Sequence, residues 1–141
     1  MKIKQDKPFS PGYNPITSHD GEHRDMMMDF GILKLSAGLE FSDEYPLERI
    51  FLLLYGEIEI RWADQREIVS RGSFLDDNLW CLNVPQGVAV TITGVSEDSE
   101  VAVIRTENER VFKPAIRCGE AITKEIRGQG SMNDAGTRIV R

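Results

Sequence analysis

Short apolar segments recur between glycine, proline and acidic breaks from residue 30 to residue 106. In Glu57-Ile58-Glu59-Ile60-Arg61-Trp62 the alternation is strict. Ile58, Ile60 and Trp62 fall on one side of an extended chain, and Glu57, Glu59 and Arg61 on the other. Residues 50–54 are apolar without alternation, which predicts a strand covered on both faces. Further segments span 30–35, 48–54, 66–69, 80–84, 88–93 and 100–106, with 48–54 stopping at Tyr55-Gly56. Short strands punctuated by turn residues predict an all-β sandwich or barrel. No window carries the period of a long amphipathic helix.

The flanks follow a different pattern. Residues 1–27, with Pro8, Pro11, Gly12 and Pro15, read as an irregular arm whose densest feature runs from Ser18 through His19, Glu22 and His23 to Asp25. Residues 28–114 make the barrel, and 115–141 a C-terminal extension. Within that extension, 119–127 suits either a strand or a short helix, and 128–136 has the Gly-rich polar composition of a linker.

Composition narrows the classes. The chain has 141 residues, enough for one domain, and 40% hydrophobic against 28% charged residues marks a globular chain rather than a disordered one. The longest apolar run, residues 50–55, is far below the ~20 residues a bilayer requires. A net charge of −6, with no basic stripe, argues against a nucleic-acid partner. Cys81 and Cys118 match no metal spacing, and Cys81, between Trp80 and Leu82, reads as a buried thiol. With no apolar leader segment after Met1, the reducing cytoplasm is the expected compartment.

The spacing Gly38, Glu44-Tyr45-Pro46, Arg49, Gly56 resembles the first motif of the cupins, and Pro85-Gln86-Gly87 resembles the second. The resemblance implies one small antiparallel jelly-roll barrel. In metal-dependent cupins the first motif supplies two histidines and a glutamate, and the second supplies another histidine. Those positions here hold Glu44, Pro46, Arg49 (with Glu48 beside it) and Val90. Proline and valine side chains cannot ligate and arginine is a cation, so the expectation is no metal at the usual site and no cofactor.

A closer similarity is to the 5-deoxy-glucuronate isomerases of inositol catabolism and the related 5-keto-4-deoxyuronate isomerases. It covers roughly residues 28–141. Its carriers are the block from Glu48 to Glu57, the turn Val84-Pro85-Gln86-Gly87, and Glu125-Ile126-Arg127-Gly128-Gln129-Gly130 followed by Thr137-Arg138-Ile139-Val140. Those enzymes are bicupins whose metal-binding histidines belong to the second barrel. The resemblance therefore implies an N-terminal half, an isomerase by family only, with no catalytic residue to carry over.

Three functions stay open. An aldose–ketose isomerase passes a proton through an enediol and needs a base and a cationic group. Glu44 or Glu48 would be the base, and Arg49, near Tyr45, would hold a sugar-acid carboxylate. Otherwise these are ordinary loop and edge residues. His19 and His23, with Glu22 or Asp25, form an alternative metal set if the arm folds over the barrel mouth, although Gly21 interrupts any helix there. A metal-free binding module would hold a sugar acid or apolar ligand against Phe51, Leu53, Ile58, Ile60, Trp62, Val90 and Ile92. Trp62 and Trp80 would stack on the sugar ring or simply pack the core. An assembly role would rebuild a two-barrel unit as a homodimer or with a separate catalytic chain.

Overall fold

The computed structural model describes residues 3–123, 125–127, 130 and 138–140. One strand organises the molecule. β1 (Gly12–Thr17), β2 (Asp29–Leu35) and β3 (Glu40–Asp43) precede β4 (Glu48–Trp62), which is 15 residues long. β5 (Gln65–Arg71), β6 (Trp80–Val84), β7 (Val90–Gly94), β8 (Ser99–Thr106) and β9 (Ala115–Cys118) follow it. The first half of β4 pairs with β6 and β8, in the order β1-β2-β8-β4-β6-β9. Its second half pairs with β5 and β7, and β7 pairs in turn with β3.

Gly56 allows that passage. Its φ is +98°, and a Cβ there would lie 2.4 Å from Ser99 Oγ. The register with β8 slips between Leu53 and Tyr55 just before it. The sequence expectation of a stop at Tyr55-Gly56 is thus corrected: the glycine bends a continuous strand from one sheet into the other.

Inward-facing residues stack in rows. Gly31, Val103, Phe51 and Leu82 are in register across β2, β8, β4 and β6, and Leu33, Val101 and Leu53 form the next row. Ile58, Ile60, Trp62, Val90 and Ile92 complete one apolar core. Full burial of such a side chain contributes about 1.5–3 kcal/mol, so the barrel interior carries much of the stability.

The outer face differs from expectation. Residues 50–54 were expected to be covered on both sides, but Ile50, Leu52 and Leu54 are only half-buried. Cys81, expected to be buried, is half-buried opposite Arg117, and Cys118 is exposed; both thiols are free.

Strand β1 lies in the stretch expected to be irregular. It pairs on one side only, with β2, so Pro15 removes no bond the sheet needs, and a bulge falls between Pro15 and Thr17. β3 and β9 were too short or too polar to register in the sequence pattern. In the extension, Gly119–Ala121 is a 3-10 turn, and Glu125–Arg127 pairs antiparallel with Arg138–Val140. Residues 128, 129 and 131–137, which hold most of the linker-like stretch and part of the family-like motif, lie outside the described residues. Among the described residues no helix is long and apolar enough to cross a membrane.

Candidate functional site

At one end of the apolar rows the barrel interior turns ionic. Asp29, Arg105, Arg49 and Val84 are in register across β2, β8, β4 and β6. The same alternation that turns Phe51 and Leu53 inward turns Arg49 inward, and Arg49 is fully buried. Its Nη1 donates to the Asp43 carbonyl at 2.9 Å and to Asp43 Oδ1 at 3.1 Å. Its Nη2 donates to the carbonyls of Pro85, at 3.2 Å, and Val88. One guanidinium therefore ties the end of β3 to the turn between β6 and β7.

Arg105 reaches the other carboxylate oxygen. Its Nε and Nη2 donate to Asp43 Oδ2 at 3.2 and 2.6 Å. The Tyr45 N–H adds a bond to Oδ1 at 2.8 Å. Burial pushes the Asp43 carboxyl upward, but the bonds from Arg105, the Tyr45 backbone and Arg49 outweigh it and hold the carboxyl below its ordinary range. The Arg105 guanidinium is also sandwiched, 4.6 Å from the Tyr13 ring centre and 4.7 Å from that of Tyr45. Tyr13 stacks in turn on Phe41 at 5.9 Å. Burial raises the Tyr13 phenol, partly offset by Arg105. Gly31 makes room for this ring: a Cβ there would lie 2.5 Å from Tyr13 Cε2.

The structure separates residues that the sequence motif groups together. Glu48 lies on the opposite face of β4 from Arg49, accepting from Asn83 Nδ2 at 3.0 Å and Asn108 Nδ2 at 2.6 Å. Two groups on opposite faces of one strand cannot grip one small ligand inside the barrel. Glu44 is exposed, and Tyr45 covers Arg105. Trp62 and Trp80 are both buried in the core, with the edge of Trp62 bordering a cavity of about 510 Å³ beside Arg61, Gly87 and Thr91.

The arm does meet the barrel. Asp29 Oδ1 accepts from the His19 N–H at 2.7 Å and lies 2.6 Å from His19 Nδ1. The hydrogen bond to Asp29 raises the His19 pKa, against the downward pull of burial. His23 precedes the 3-10 turn Arg24–Met26, where its carbonyl accepts the Met26 N–H at 2.9 Å. Among the described residues no three His, Cys, Asp or Glu side chains gather as a metal would need, so His19 and His23 form no such group with Glu22 or Asp25. Sequence reasoning missed Tyr13, Asp29, Asp43 and Arg105. A signal for Arg105 was present: it shares one face of its strand with Val101 and Val103.

The antiparallel pairings that one long strand makes with two sets of strands are those of a cupin-like barrel. The chain belongs to the KduI/IolB family, whose model matches residues 2–141. Its fold is shared with an IolB-like protein from Salmonella typhimurium LT2 (TM-score 0.75, 19% identity), over 92% of this chain and 50% of that one. It is also shared with a cupin superfamily protein from Desulfitobacterium hafniense DCB-2 (TM-score 0.55, 16% identity), covering 77% of this chain and all of that one. A third neighbour is an RmlC-like cupin with a double-stranded β-helix fold from Methanocaldococcus jannaschii (TM-score 0.54, 16% identity), covering 75% and 87%. The chain thus spans half the length of the Salmonella protein. No curated protein matches its sequence. Family and fold together make it a cupin-fold member of the KduI/IolB family.

Proposed function

We propose that this barrel is a metal-free module of sugar-acid catabolism that binds a carboxylated sugar, rather than a metal-dependent isomerase. One observation carries the reading: the interior position where metal-dependent cupins gather their ligands is filled by Arg49, bound to Asp43 and to two turn carbonyls. A divalent cation beside Arg49 and Arg105 would meet two fixed positive charges across a single carboxylate. The buried Arg49 Nε has no partner among the described residues, and an N–H donor there suits an acceptor, not a metal. Val90 and Pro46 offer no ligating atom. The free thiols Cys81 and Cys118 suit a cytoplasmic setting.

The test is elemental analysis of untagged protein, with a parallel thermal-shift assay against 5-deoxy-glucuronate. The expected result is substoichiometric metal and a stabilising shift. Stoichiometric Zn, Mn, Fe or Ni overturns the metal-free reading, and the absence of any shift overturns the ligand.

A second reading, assembly with another barrel, rests on the outer sheet face. Phe30, Ile104 and Ile50 are in register there, and Ile32, Ala102 and Leu52 form the adjacent row. Phe30, Ile50, Leu52 and Ile104 remain only half-buried, which leaves an apolar strip for a second copy to cover.

A further inference from the structure

We infer that the sugar-acid carboxylate binds outside the barrel interior, in the cavity of about 330 Å³ lined by His19, Arg24, Met27, Thr106 and Glu107, with His19 Nε2 and the Arg24 guanidinium as its donors. The inference rests on the sugar-acid reading above and assigns it a place.

Asp29 is the fixed element. It is buried on β2, directly opposite Arg105 of β8, so the barrel determines its position. Its Oδ1 takes both the backbone N–H and the Nδ1 of His19. With Nδ1 committed to the carboxylate, Nε2 on the other side of the ring is left for a partner, and His19 lines the cavity. The arrangement favours the imidazolium, which gives Nε2 a proton to donate. Arg24 supplies a second cationic donor from the 3-10 turn.

That turn is tied down from two directions. Thr17 Oγ1 donates to the Met28 carbonyl at 3.0 Å, and Thr106 Oγ1 to the Met27 carbonyl at 3.4 Å. Met27 takes the left-handed conformation, with φ 56°, which a non-glycine residue adopts only where its surroundings hold it. The His19 ring, held by Asp29, and the backbone just after Arg24 are therefore fixed before any ligand arrives, which lowers the entropic cost of binding.

The cavity has two chemical sides. His19 and Arg24 suit a carboxylate, and Thr106 and Glu107 suit hydroxyl groups. A ligand with a carboxylate at one end and hydroxyls along its chain satisfies both. The volume lies at the lower end of the range for small-molecule sites, which suits a monosaccharide.

The experiment is an NMR titration of the isotope-labelled full chain with D-glucuronate, with D-glucose as the uncharged control. Shifts at the His19 ring, Met27 and Thr106 with glucuronate alone are expected. Arg24→Gln is expected to weaken binding at least about tenfold, the scale of one charge-assisted hydrogen bond. Arg24 is exposed, so this variant should keep the wild-type melting temperature; His19→Gln is the second variant and should weaken binding similarly. Glucuronate shifts centred on Tyr45 and Arg105, or binding indifferent to Arg24→Gln, overturn this site and leave the sugar-acid function standing. Equal binding of glucose overturns the role of the carboxylate. No glucuronate binding at all, with a thermal shift from 5-deoxy-glucuronate, likewise overturns the site alone, whereas failure with both sugars overturns the function too.

Discussion

Arg49 and Arg105 stand directly opposite each other on β4 and β8 and share the single carboxylate of Asp43, one oxygen each. Like charges directly opposite across an antiparallel pair repel, so Asp43 is what lets both lie inside. Asp43→Asn keeps the shape and removes the charge, leaving two guanidiniums in a space with little water. A loss of about 3–5 kcal/mol is expected, measured by urea unfolding. Arg49→Met should cost much less, because the Arg105–Asp43 pair survives and an apolar side chain fills the space. Equal losses in the two variants would mean that Arg49, as brace of the Pro85–Val88 turn, matters more than the charge balance.

The pH dependence of stability should carry opposite signs at the two ends of this ionic row. The Asp43 carboxyl is depressed in the folded state, so its contribution is present above the ordinary carboxylate value and lost as pH falls through the depressed one. His19 is raised, by Asp29 first and with Asp20 and Glu107 adding to it. Arg24 faces the same cavity. The His19 contribution is therefore full below its ordinary value near ~6.5 and lost as pH rises through the raised one. Thermal melts of wild type and His19→Gln should differ most in mild acid and converge as the pH rises. A gap that widens with pH would refute this assignment.

Tyr13 depends on a missing side chain. Its ring occupies the space where a Cβ on Gly31 would lie, and it stacks on Arg105 from there. Gly31→Ala should push the ring off the guanidinium and destabilise the protein by about 1–3 kcal/mol, the scale of an overpacked core. Ultraviolet titration should show the change too: a Tyr13 freed from burial gives up its raised phenol pKa.

For the outer face, light scattering at tens of micromolar should give twice the 15.9 kDa chain mass. Leu52→Glu, which sets a charge in the middle of the apolar strip, should return it to the single-chain mass. A wild-type monomer would refute the pairing.

The barrel was legible because its strands alternate and its turns carry glycine and proline. Trp80–Val84 falls where the pattern placed it. β1 was hidden by Pro15, which marks a break in a central strand but is tolerated on an edge. Gly56 reads as a turn in the sequence because a glycine that ends a strand and one that bends it leave the same trace there. The ionic row was harder to see. Arg49 stood out as a misplaced motif residue, but its partners are a short strand's last residue, Asp43, and a charge near the end of β8, Arg105. Only the folded register brings them together. His19 and Asp29 sit ten positions apart with no periodic relation, so nothing local announces their bond.

The sharing of β4 between the sheets has a consequence for how the molecule assembles. Neither sheet can be completed first and docked onto the other, because each lacks a member until the same 15 residues are in place. Pairings such as Gly31 with Val103 join residues separated by about half the chain, so β2 has no link to β4 until β8 is in place between them. Long-range closure of this kind slows folding and makes it all-or-none. A proteolytic nick within β4 would therefore open both walls of the barrel at once, whereas a nick at Ala63-Asp64, between β4 and β5, would leave β4 itself whole.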